Sequence, residues 1–186
     1  MIELYLSIVG LLMFSAVFLL SMVTVGEVRF KLLSSTFADG KSIPTKYANT
    51  GVAGGKNISQ QLSWANTPTG AKSFAVACID RHPIARNWIH WLVVDIPTDV
   101  MEIAEGASKS KNMPRGSKEL MNSFGTLGWG GQQPPPGSGP HKYEFILYAL
   151  DTKLALDVGV SKDEVIKAMD GHILVQAPLV GEYTSP

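Results

Sequence analysis

The chain has one cysteine, Cys78, so no intrachain disulfide can form and stability must come from packing. It also lacks a charge excess: 16 basic and 16 acidic side chains give a formal net charge of +0. A balanced chain with no run of lysine or arginine has no bulk attraction to nucleic acid, which is therefore not an expected partner. No Gly-x-Ser-x-Gly elbow occurs, so the serine-hydrolase signature is absent. The glycine-rich stretch of residues 50–57 ends Gly55-Lys56-Asn57, without the Ser or Thr that a phosphate-cradling loop requires, and reads as an ordinary loop. There is no internal repeat and no heptad.

Charge is missing altogether from residues 4–26. A helix of this length could cross a hydrocarbon core at about 1.5 Å per residue. Residues 1–26 are therefore read as a signal peptide or a single-span anchor, and residues 27–186 as one domain of ordinary size. The expectation is export to the periplasm or exterior, with the membrane contact made through residues 1–26. Arg29 and Lys31 follow the span, which leaves a cytoplasm-facing anchor as the alternative.

Period-two alternation marks strands over residues 28–33, 72–80, 89–96 and 141–150. In the first long one, Phe74, Val76, Cys78 and Asp80 share a face. In the next, His90 falls with Leu92, Val94 and Ile96, opposite Trp91 and Val93. Apolar residues on both faces imply a central strand covered on two sides. His141, Tyr143, Phe145 and Leu147 share a face of the third. Residues 128–140 hold four prolines and five glycines, which excludes regular structure. Ser161 and Glu164 form a capping box that opens a short helix carrying Val165, Ile166 and Met169, closed by Gly171. A last strand is expected over residues 172–180, broken near Pro178. The pattern is mainly β.

Two polar or Gly/Pro-shaped turns stand out, Cys78 to Trp91 and Trp129 to Tyr143. Each feeds an apolar strand, and together they hold three of the four histidines. Side by side they would form a small polar pocket suited to an anion, because imidazole N–H, tyrosine O–H and turn amides all donate hydrogen bonds. Asp80 would orient a histidine and stabilise its charged form.

Five blocks in order resemble one family. They are Phe37-Ala-Asp-Gly-Lys-Ser-Ile-Pro44, Asn57-Ile-Ser-Gln-Gln-Leu-Ser-Trp64, Trp88-Ile-His-Trp-Leu-Val-Val-Asp-Ile-Pro97, Pro134-Pro-Pro-Gly-Ser-Gly-Pro-His-Lys-Tyr143 and Phe145-Ile-Leu-Tyr-Ala-Leu-Asp151. The domain is similar to the phosphatidylethanolamine-binding proteins, in their bacterial and archaeal, Raf-kinase-inhibitor-like branch. The resemblance implies a mainly β fold: a large central antiparallel sheet, a smaller packed sheet and few peripheral helices. It implies a pocket for phosphate-type or carboxylate anions bound by Asp80, His90, Gly131, Gln132, His141 and Tyr143. Gly130 and Gly131 would offer backbone amides, and His82, Trp88, Trp129 and Pro135 would form the rim. The chain departs from the family at His82, which replaces a second acid, at Gln132, which replaces a proline, and at Trp129, where tyrosine is frequent.

The function expected is a non-enzymatic binding or regulatory module for a small phosphate- or carboxylate-bearing head group, with no cofactor. The alternative is an inhibitor or scaffold acting on a protease or kinase through its surface. A small hydrolase using Cys78, His90 and Asp80 is a weaker reading, as is a metal site of His82, His90 and His141, whose spacing matches no local metal motif.

Overall fold

The computed structural model describes residues 29–186, so the reading of residues 1–26 lies outside the described residues. Among the described residues no helix is long and apolar enough to cross a membrane. In chain order the elements are β1 (Lys31–Leu33), β2 (Lys41–Ser42), β3 (Leu62–Ala65), β4 (Ser73–Asp80), β5 (Trp88–Ile96), β6 (Glu102–Ile103), β7 (Lys118–Glu119), β8 (His141–Leu150), α1 (Lys162–Met169) and β9 (Ile173–Tyr183). A small sheet runs β1-β3-β6 and a large one β2-β9-β8-β4-β5-β7. Pairing is antiparallel except between β2 and β9. The expected mainly β fold, with a large sheet, a smaller sheet and little helix, is what forms.

Both faces of the large sheet are covered, as the apolar runs in β4 and β5 required. One face packs toward the small sheet, burying Phe74, Val76, Cys78, Trp91, Phe145 and Leu147 with Leu32, Leu62 and Trp64. The other buries Ala75, Ala77, Leu92 and Val94 with Val165 and Met169 of α1. Each fully buried large aliphatic or aromatic side chain contributes about 1.5–3 kcal/mol, so the two layers dominate stability. The capping box at Ser161 and Glu164 is present, and Gly171 follows the helix at φ 75°. Ile166, grouped with Val165 and Met169 in the sequence reading, instead stands 56% exposed.

Strict alternation fails in β5, with a consequence for the site. Cys78 pairs with Trp91, yet Ile79 pairs with Ile89, so His90 is an extra residue in a β-bulge. The bulge turns His90 toward the same side as Trp91 and away from Leu92 and Val94, correcting the predicted face. A second irregularity lies between the Phe74–Ile96 and Val76–Val93 pairs. There Asp95 takes φ 57°, and Ile96 joins the face of Trp91. β9 is not broken at Pro178, which pairs with Ile146 in an unbroken strand. Val180 bonds outward, to Asp39 and Gly40, so period-two alternation points the proline nitrogen outward too, where the β8 ladder needs no donor.

Candidate functional site

The C-terminal end of β4 brings the two predicted turns together. Asp80 pairs with Trp88 on one side and Tyr143 on the other. Around it opens a cavity of about 340 Å³. Asp80, His90, His141 and Tyr143 form its floor. Ile84, Trp88, Phe124 and Pro135 are among its walls. Thus six residues expected at the site, separated by up to 63 positions, line one pocket, Pro135 and Trp88 among its walls.

The floor is an ordered hydrogen-bond system. His141 Nδ1 lies 2.6 Å from Asp80 Oδ2, and both side chains are buried. Asp80 Oδ1 accepts the backbone N–H of His82 at 2.8 Å. Ser138 Oγ lies 2.6 Å from the Pro135 carbonyl and 3.0 Å from His141 Nε2. A carbonyl can only accept, so the serine proton goes to Pro135 and His141 Nε2 becomes the donor to Ser138. His141 is thus held at both ring nitrogens, by the Asp80 carboxylate on one side and Ser138 on the other.

His90 differs. Its Nδ1 lies 2.6 Å from the Gly130 carbonyl and must carry the proton. Burial lowers its pKa from 6.5 to about 4, against the opposing pull of that carbonyl and of Asp80. His90 is therefore neutral near pH 7, and its Nε2 is an acceptor rather than the donor expected. Its ring packs edge-on to Tyr143 and Phe124, at centroid distances of 5.1 and 5.5 Å. The Tyr143 hydroxyl is buried and makes no well-formed hydrogen bond with the described residues, although the Asp80 carboxylate lies near enough to act on it. Burial, then the Asp80 charge, push its pKa upward, so it stays a donor.

Several expected residues stand elsewhere. Gly130 N–H donates to the His90 carbonyl at 2.9 Å, and Gly131 N–H to Asn57 Oδ1 at 2.6 Å, so neither amide is offered to a ligand. Gly131 is needed for close packing, since a Cβ there would lie 2.4 Å from the Asn49 backbone nitrogen. Gln132 is fully buried and does not line the cavity, where its neighbour Gln133 stands instead. Trp129 is a buried core residue stacked near Phe145, not a rim residue. His82 does not line the cavity but stacks on His141, with centroids 3.9 Å apart and planes 12° from parallel.

The sequence reading missed Phe124, Ile84, Ala85, Gln133, Pro134 and Ser138. Ser138 carried a signal, lying three residues before His141 in Gly137-Ser-Gly139. Phe124 comes from a loop with no local mark. Cys78 is fully buried, and burial pushes its thiol well above the usual range, which removes the nucleophile from the hydrolase reading. Among the described residues no group of three or more His, Cys, Asp or Glu side chains could hold a metal ion.

Fold and pocket define a class of two-sheet β domains with a cavity where β4, β5 and β8 converge. The chain belongs to the phosphatidylethanolamine-binding protein family, whose sequence pattern it matches over residues 33–184. It is 42% identical over 152 residues to a UPF0098 protein of Methanothermobacter thermautotrophicus, covering 82% of this chain and 97% of that one. It is 34% identical over 158 residues to UPF0098 protein YbhB of Escherichia coli, covering 83% and 99%. Among solved structures it is similar to E. coli YbcL, described as a new member of the mammalian PEBP family. That match has TM-score 0.79 and 32% identity, and covers 84% of this chain and 99% of that one. It is also similar to CT736 of Chlamydia trachomatis, described as a putative phosphatidylethanolamine-binding protein homolog. Here the TM-score is 0.72 and the identity 34%, covering 84% and 98%.

Proposed function

We propose that the protein is a non-enzymatic binding module for a small phosphate-type head group. The observation that carries the reading is the buried Tyr143 hydroxyl, which makes no well-formed hydrogen bond with the described residues, on the floor of an open cavity that the neutral His90 ring also lines. A phosphate monoanion or monoester carries both kinds of partner. Its charged oxygens accept from Tyr143 O–H, and its P–O–H donates to His90 Nε2. A carboxylate lacks that donor and fits less completely. About 340 Å³ is near the lower end of the small-ligand range, sized for a head group. In the same proposal residues 1–26 export the domain or tether it to a membrane.

Titration calorimetry of the full-length protein with inorganic phosphate and with acetate tests this. Saturable phosphate binding, tighter than acetate and weakened about tenfold (about 1.4 kcal/mol) by Tyr143→Phe, is the expected result. Absence of saturable phosphate binding overturns it.

A second reading has its own observation. Ile84, Trp88 and Phe124 expose 56%, 39% and 38% of their surface around the cavity mouth, an apolar rim on which a protease or kinase could dock. Inhibition lost with Trp88→Ala but retained with Tyr143→Phe would favour that reading over ligand binding.

A further inference from the structure

A second cavity, of about 300 Å³, lies on the opposite face of the large sheet, between the strands and α1. Its origin is legible in the side chains. Ala75 and Ala77 are short, so the sheet leaves space that Val165 and Met169 of α1 do not fill. Ile79, Leu92 and Val94 complete an apolar floor, and the half-exposed Ile166 stands beside it. Arg81 and Lys162 line the same cavity, and both side chains are exposed. Arg81 gives its Nε to Glu144 and one terminal nitrogen to Asn87, leaving further guanidinium donors. Among the described residues the Lys162 side chain has no hydrogen-bond or ion-pair partner. Against Glu144 the two cations leave one positive charge in excess. Tyr148 adds a phenol that burial holds protonated.

We propose that this cavity binds a single-chain amphipathic carboxylate. The alkyl chain lies along Ala75, Ala77, Leu92 and Val94, and the carboxylate pairs with Lys162 and Arg81. The site is separate from the phosphate-type pocket. Asp80 and Arg81 are consecutive in the chain, and alternation sends the first into one cavity and the second into the other.

The test is titration calorimetry of the full-length protein with hexanoate, octanoate and decanoate below their aggregation concentrations. Saturable binding should strengthen about fourfold per added methylene until the cavity is filled. Ala77→Leu, which fills the floor, should abolish decanoate binding. Lys162→Glu should weaken it at least tenfold, at an exposed helix-start position where an acid is tolerated. If Ala77→Leu does not fold, Lys162→Glu decides alone. No saturable decanoate binding overturns the proposal, as does binding that survives either substitution in folded protein. Displacement of decanoate by inorganic phosphate also overturns it, because it would put the carboxylate in the other pocket. Phosphate binding that fails while decanoate binding holds would sink only the first reading.

Discussion

His141 Nδ1 and Asp80 Oδ2 lie 2.6 Å apart, with both side chains buried at the junction of β4 and β8. The carboxylate accepts two donors, this imidazole and the His82 backbone N–H. Asparagine is isosteric but has only one acceptor oxygen. Asp80→Asn should therefore leave one buried donor unsatisfied and lower stability by about 1–3 kcal/mol. His141→Ala should cost more, about 3–5 kcal/mol, because it strands a buried carboxylate without its side-chain partner. Urea denaturation of the two variants at neutral pH measures both, and a loss below about 1 kcal/mol in either would contradict a buried, hydrogen-bonded pair.

His90 gives a pH dependence with a definite sign. Its folded pKa of about 4 lies below the 6.5 of the unfolded chain. Between these values the unfolded state binds more protons, so stability falls as pH falls. The loss attributable to His90 is about 3 kcal/mol, complete near pH 4, with little change above pH 6.5. His90→Asn, whose amide can still donate to the Gly130 carbonyl, should flatten this slope relative to wild type. Parallel stability–pH curves for the two proteins would show that His90 is not buried neutral.

The site's register was legible in the sequence, but its polarity was not. Period two put Asp80 on the face of Cys78, and Tyr143 on that of His141, and both placements hold because β4 and β8 pair without slippage. The bulge at His90 inserts one residue, which alternation cannot anticipate, so its predicted face was wrong while its predicted membership of the pocket was right. Gln132 and Gln133 differ by one position in an irregular segment, where no period decides which side chain turns inward. The donor role expected of the Gly130 and Gly131 amides failed because their acceptors, the His90 carbonyl and Asn57, lie 40 and 74 residues away. The helix was legible because its capping box is local.

Tyr143 should show stability and binding moving in opposite directions. Its hydroxyl is buried and makes no well-formed hydrogen bond with the described residues, so it carries a desolvation cost. Tyr143→Phe should leave stability unchanged or raise it by about 1 kcal/mol while weakening phosphate binding. Thermal unfolding with and without phosphate separates the two effects. A variant destabilised by more than about 1 kcal/mol would mean that the hydroxyl has a structural partner.

Gly131→Ala should be among the most damaging single-methyl additions to the turn. The new Cβ would meet the backbone of Asn49 at 2.4 Å and of Ala48 at 2.5 Å, and backbone cannot rotate away. The cost should reach or exceed the about 1–3 kcal/mol of ordinary overpacking. Asn57→Ala, which removes the acceptor for the Gly131 N–H, should cost about 1–3 kcal/mol at the same junction. Because the junction also fixes Gly130 against His90, both variants should shift the His90 ring signals in NMR, even where the fold is retained.

Cys78 separates a binding module from a thiol hydrolase. Its side chain is fully buried in β4, and burial, then the Asp80 charge, raise its pKa, so thiolate is scarce at neutral pH. The native protein should resist iodoacetamide at pH 8 and become singly alkylated in denaturing urea, read by mass spectrometry. Cys78→Ala, which removes one buried sulfur, should lower stability by about 1–3 kcal/mol and leave phosphate binding unchanged. Rapid alkylation of folded protein would put a reactive thiolate at the end of β4 and return the hydrolase reading to consideration. Inertness leaves Cys78 the role its neighbours Val76, Trp91 and Phe145 already define, that of a small apolar side chain in the layer between the sheets.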